Sequence, residues 1–297
     1  MSTMSTTISA WVKKERQSIE KWSKHPVEKE EDHLVLTTLE SLLNDEISST
    51  ATATRINEIL APRLISGTRS GVGGLWGKLA GMTRYFGATH TQQLVDLHIA
   101  IKHLPDVTNN AGYVVTYGGR VIWRQMPDWG WIFFEHGLGM YHPLRADQSH
   151  LTCKADLDLQ SEDPYDEWHA QAPGKLAATI FTATLMVQSE DFRDLATYAR
   201  IAFKEILEPF DDREMADEWK MYIPPAAAWV RIGGDVLYDL CFKKTSEEKK
   251  FVMFTPESWR VWKDRFAALA DDEDIDERCQ GLSREAAEEM ERIEQKN

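Results

Sequence analysis

Cysteine is scarce in this chain, with three in 297 residues, Cys153, Cys241 and Cys279. Their odd number and wide spacing exclude a disulfide framework, and no CxxC pair is present to start a metal knuckle. Long apolar runs are missing too. No stretch approaches the roughly 20 continuous apolar residues that a membrane-spanning helix needs, and the N-terminus MSTMSTTISAWVKKER has no apolar run after its charges, so it lacks the layout of a signal peptide. Positive charge is in deficit, 34 Lys and Arg against 48 Asp and Glu, a formal net charge of -14. That balance disfavours non-specific contact with phosphate backbones, and no basic run with interleaved aromatics offsets it. The signatures GxSxG and HExxH are absent. So is a complete phosphate loop, because Gly77-Lys78-Leu79 lacks the hydroxyl that would hold magnesium. These absences point to an intracellular, cytoplasmic protein with no membrane and no nucleic-acid partner, no cofactor and no metal.

What is present is mostly helical pattern. Hydrophobic residues make up 42% and charged residues 28%, enough apolar surface for a core and too little net polarity for disorder. Residues 1–7 read as a flexible N-terminus. From Ile8, the spacing Ile8, Val12, Ile19, Trp22 predicts a helix ending near His25-Pro26. Asp32 is placed to cap a second, with Val35, Leu39 and Leu42 inward, and a third starts near Ala51 and is disturbed by Pro62. Ser70 to Gly87 reads as a glycine-rich connection. Thr91 to Leu104 returns to helix, where His98 beside the apolar stripe reads as a core or boundary residue. Asp156 to Glu167 lacks the DxDxDG order of a calcium loop and reads as solvated loop.

In the second half, Lys175 to Val187 is apolar nearly all round, as in a helix enclosed by others. An amphipathic helix over Phe192 to Ile206 stops before Pro209. A short helix from Met215 to Met221 precedes Pro224-Pro225, and Ala226 to Cys241 follows, with Gly233 and Gly234 placed for close helix contact. Thr255-Pro256-Glu257 carries the marks of a helix start, namely a cap, a first-turn proline and an acid at the positive helix end. Ser283 is placed to cap the last helix, with Ala286, Met290 and Ile293 inward. The fold class is all-α, a single multi-helical domain over 8–297 with a minor β-hairpin near residues 113–131.

The stretch Gly112 to Arg145 departs from this pattern. It holds Trp123, Trp129 and Trp131, the arginines Arg120, Arg124 and Arg145, and the histidines His136 and His142 among recurrent glycines. Tyr113 to Ile122 is rich in strand formers, and Gly118-Gly119 suits a hairpin turn. Trp129 and Trp131 alternate, as in a short extended segment. Aromatics in this density more often plug a core than line a pocket, and a buried indole still needs an acceptor for its N–H. The pocket reading makes Trp123, Arg124, Trp129, Trp131 and Arg145 ligand-binding candidates, through stacking, cation–π and anion contacts. His136 and His142, near Glu135 and Asp128, are the catalytic candidates for proton transfer near neutrality. A metal would need a third ligand such as His150 or His169, which the spacing does not demand.

The order of these features resembles a family of fungal proteins classed as a domain of unknown function, DUF3632. The likeness rests on Tyr117-Gly118-Gly119-Arg120-Val121-Ile122-Trp123, the helix from Asp191 to Leu207, and Ala226-Ala227-Ala228-Trp229-Val230 with Gly233 and Tyr238. The most specific run is Phe254-Thr255-Pro256-Glu257-Ser258-Trp259-Arg260-Val261-Trp262-Lys263-Asp264-Arg265-Phe266. The likeness extends roughly from Leu34 to the C-terminus. The resemblance implies a helical fungal protein and carries over no catalytic residue. The leading expectation is a non-enzymatic binding or scaffold protein, with a small-molecule ligand or a protein partner, a second copy of the chain included. The alternative is an enzyme of fungal small-molecule metabolism with a His/Arg site in the Trp-rich segment.

Overall fold

A computed structural model describes residues 8–23, 25–67, 71–138, 164–207, 219–243 and 251–297. The expected flexible N-terminus at 1–7, and residues 156–163 of the expected acidic loop, lie outside them. The described residues are all-α apart from one two-stranded hairpin. The chain forms two compact units, Met1–His142 and Pro143–Asn297.

The first unit begins with α1 (Ile8–Trp22), α2 (Pro26–Leu43), α3 (Ser49–Ser66), α4 (Gly71–Phe86) and α5 (Thr91–Lys102). α2 packs on α1, α3 and α4, and α3 packs on α5. Pro26 opens α2 at its first turn, so Asp32 is interior rather than a cap. Its carboxylate accepts from Ser23 Oγ at 3.0 Å and from Lys78 Nζ at 2.9 Å, which ties α2 to α4. Ser48 caps α3 through the Ala51 amide, and α3 runs on through Pro62.

α4 corrects the expectation of a glycine-rich connection. Val72, Leu75, Trp76, Leu79, Ala80 and Phe86 recur at helical spacing and are buried. Burying each large apolar side chain is worth roughly 1.5–3 kcal/mol, which outweighs about 1 kcal/mol of lost propensity per glycine. A β-carbon on Gly77 or Gly81 would meet nothing within 4 Å. Gly77→Ala and Gly81→Ala are therefore each expected to raise stability by roughly 0.5–1 kcal/mol, read from the urea midpoint. A connection that was not helical would show no such gain.

The second unit comprises α8 (Pro164–Gln188), a 3₁₀ turn (Glu190–Leu195), α9 (Ala196–Leu207), α10 (Trp219–Phe242), α11 (Pro256–Ala270) and α12 (Glu277–Lys296); α6 (Ile122–Gln125) and α7 (Trp129–Ile132) belong to the Trp-rich segment of the first unit. α10 packs against α8, α9 and α12, and α11 against α9 and α12. Gly233 and Gly234 do permit close helix contact. A β-carbon on Gly233 would lie 2.7 Å from Met186 Cε of α8, and one on Gly234 2.6 Å from Ile293 Cδ1 of α12. α10 runs unbroken through Pro224 and Pro225, where the sequence predicts a separate short helix ahead of them. Residues 215–218 of that short helix lie outside the described residues.

Thr255 caps α11 as expected, its hydroxyl accepting from the Ser258 amide at 3.0 Å. The cap of α12 is Asp276, which accepts from the amides of Arg278 and Cys279 at 3.1 Å each, while Ser283 is interior and buried. A carboxylate at the positive helix end wins over a serine further along the chain.

Candidate functional site

The Trp-rich segment follows α5. Val107 is buried and anchors its start, and the Val115 amide donates to the Val107 carbonyl at 2.8 Å. Thr108 pairs with Val114, and between them Asn109 Oδ1 accepts from the amides of Ala111 and Tyr113. The expected hairpin then forms from β1 (Thr116–Tyr117) and β2 (Arg120–Val121), with Thr116 opposite Val121 and Tyr117 opposite Arg120. Gly118 and Gly119 have φ of 57° and 78°, the two positive values that a two-residue hairpin turn requires.

Beyond the hairpin lie α6 (Ile122–Gln125), α7 (Trp129–Ile132) and a π turn (Phe133–Gly137). Trp129 and Trp131 are thus helical, which corrects the extended reading. The π turn closes with the Leu138 amide on the Phe133 carbonyl at 3.1 Å. Gly137 is required there because a β-carbon would sit 2.9 Å from the Phe133 ring. Two non-glycine residues between the short helices, Met126 and Asp128, adopt φ of 41° and 62° on either side of Pro127. Such conformations persist when neighbouring contacts over-determine them. Here the Trp76 indole N–H of α4 donates to the Pro127 carbonyl at 2.9 Å, buried.

The ligand-binding candidates separate. Trp123 is fully buried, donates to Asn57 Oδ1 of α3 at 2.8 Å, and meets the Trp76 ring edge-on with centroids 6.3 Å apart. Trp129 is buried and stacked on Phe133 at 5.1 Å. It also meets the His98 ring, edge-on at 5.7 Å. Trp131 points outward, 62% exposed, with the Phe134 ring 6.3 Å away. Arg124 is exposed and its guanidinium pairs with Asp106 at 3.0 Å, while its carbonyl accepts from Lys102 Nζ. Arg145 lies outside the described residues.

Of the catalytic candidates, His136 is exposed on the π turn, and His142 lies outside the described residues. His150 does too. Among the described residues no group of three His, Cys, Asp or Glu is placed to hold a metal ion. Among the described residues, surface grooves lie elsewhere, one of about 610 Å³ beside α1, with Lys13, Arg16, Glu20 and Glu40 in its lining, and another of about 380 Å³ along α2. Neither is lined by a residue of the Trp-rich segment.

His98 matters more than its place beside an apolar stripe suggests. It is fully buried on α5, and its Nδ1–H donates to the Leu94 carbonyl at 2.7 Å. Burial drives its pKa down from 6.5 to about 4, against the opposing effect of that hydrogen bond. The ring is neutral at pH 7, as a packing partner for Trp129 should be. Asn57 and Trp76 also escape a reading of the sequence; the available signal is the need of each buried indole N–H for an acceptor.

A family model described as "Protein of unknown function (DUF3632)" matches residues 76–266, a span running from Trp76 through the Trp-rich segment to Phe266 of α11. No curated protein matches, and no solved structure does. The matched span is narrower than the expected likeness from Leu34 to the C-terminus, and it covers well over half of the chain. The chain belongs to the DUF3632 family.

Proposed function

We propose that this chain is a non-enzymatic binding or scaffold protein that engages a protein partner through the outward side of α7 and the π turn. The observation that carries the reading is the division of labour among the tryptophans of the segment. Trp123, Trp129 and Phe133 are consumed by the interior, and Trp131 is left at 62% exposure. A stacked or hydrogen-bonded interior indole has no face to offer a ligand. An exposed indole on a helix anchored from beneath is what partner sites use, since tryptophan brings much contact area at low entropic cost.

A fungal, cytoplasmic setting belongs to the same proposal. Its cytoplasmic part is supported by the two described cysteines, Cys241 and Cys279, which are buried free thiols as a reducing compartment permits. No helix among the described residues is long and apolar enough to cross a membrane.

Native mass spectrometry of the chain purified from its own cells tests the reading. The expected result is a stoichiometric protein partner, a second copy included, that Trp131→Ala releases. A retained small organic molecule, unaffected by Trp131→Ala and turned over in a manner that depends on His136, would favour the enzyme instead.

A further inference from the structure

We propose that the face formed by Trp131 and Glu135, with Asp128 at its start, docks an arginine-bearing basic segment of a partner protein. This rests on the binding reading above and names the partner's chemistry. Glu135 lies one turn beyond Trp131 and so shares its face, and the Phe134 ring extends the aromatic surface. The Asp128 side chain is exposed and that of Glu135 half-buried, and neither carboxylate has an ion-pair or hydrogen-bond partner among the described residues. Asp106, in the same stretch of chain, is by contrast already engaged by Arg124.

The acidity is local. Met1–His142 carries 14 Lys and Arg against 14 Asp and Glu, so the first unit is neutral, and the remaining 20 and 34 place the whole surplus of -14 in the second. Two unengaged carboxylates beside an exposed indole are thus not a sample of a generally acidic surface. An anionic partner would meet like charge there, and a purely apolar one would bury both carboxylates unpaired, at a cost of several kcal/mol. A guanidinium satisfies both features, stacking on the indole while its fork of N–H donors takes a carboxylate. The platform is also fixed in advance. The Trp76 bond to Pro127 holds the turn into α7, and the Trp129–Phe133 stack holds its underside, so little entropy remains to be lost on binding.

The test is fluorescence anisotropy of a labelled tetra-arginine peptide with the full chain at low salt, with tetra-glutamate as the reversed probe. Tetra-arginine is expected to bind and tetra-glutamate not. Trp131→Ala should weaken binding roughly 3- to 30-fold, Asp128→Asn or Glu135→Gln several-fold, and Glu135→Lys should abolish it. Neutralising two exposed acids of the second unit, Glu285→Gln with Glu288→Gln, should leave it unchanged. The proposal is overturned if the wild type does not bind, if Trp131→Ala binds as well as wild type, or if the Glu285/Glu288 variant loses as much. Should tetra-arginine fail while Trp131→Ala still releases the chain's own partner, the docking chemistry is wrong and the binding reading stands. Should that partner also remain bound, both are wrong.

Discussion

Trp123→Ala is expected to destabilise the first unit by about 3–5 kcal/mol, the cost of emptying a fully packed tryptophan site. The side chain is fully buried, meets Trp76 edge-on, and donates to Asn57 of α3. Removing it deletes ring contacts on α4 and leaves the Asn57 carbonyl oxygen without its donor, which adds on the order of 1 kcal/mol. Against a typical domain stability of roughly 5–15 kcal/mol, the loss is large enough to leave a marginal unit unfolded. Trp123→Phe separates the two contributions, since it keeps most of the ring and loses only the donor. Trp131→Ala is the matched control and should stay within about 0.5 kcal/mol of wild type, because that indole is 62% exposed. Urea unfolding of the three variants reads the ordering directly. Equal losses at Trp123 and Trp131 would mean that the segment is not divided into interior and surface.

The second large effect is a pH dependence that runs through His98. Its pKa is 6.5 in the unfolded chain and about 4 in the fold. Above pH 6.5 the ring is neutral in both states and costs nothing. As pH falls from 6.5 towards 4, the unfolded chain takes up the proton and the native state refuses it, so stability is lost across that window and levels off below it. The full difference is about 3 kcal/mol. Carboxylates also titrate in this range, so the informative quantity is the gap between wild type and His98→Leu. Unfolding free energies measured from pH 7 to pH 4 should show wild type falling by about 3 kcal/mol more than the variant. Parallel curves would mean that His98 is solvated rather than enclosed beside Trp129.

The helices of the second unit are largely legible in the sequence because their apolar spacing is regular and their ends are marked. Thr255-Pro256 states its cap outright, and Gly233-Gly234 states a close approach. Gly118-Gly119 announces the hairpin turn for a similar reason, since little else than glycine takes two consecutive positive φ values cheaply. Three of the readings that fail show a local rule meeting a tertiary demand. In α4 the glycines suggest a break, but buried Leu75, Trp76 and Leu79 outweigh their cost. Trp129 and Trp131 alternate as in a strand, yet the stack of Trp129 on Phe133, a spacing of four, requires helix. Ser283 is a good cap residue in a buried interior position, and Asp276 has the better electrostatics. The candidate site is legible in its composition and not in its orientation. A tryptophan count does not say which indole faces in, since that depends on partners such as Asn57 and His98 contributed by α3 and α5.

The central claim is that the tryptophans of the segment are interior except for Trp131. Indole hydrogen exchange, followed by NMR on the chain with nitrogen-15 in its tryptophans, is its sharpest test. The Nε1–H groups of Trp76 and Trp123, bonded to Pro127 and Asn57, should exchange only through unfolding of the unit, with protection that tracks its stability. That of Trp131 should exchange at once. Rapid exchange at Trp123, or strong protection at Trp131, would contradict that division.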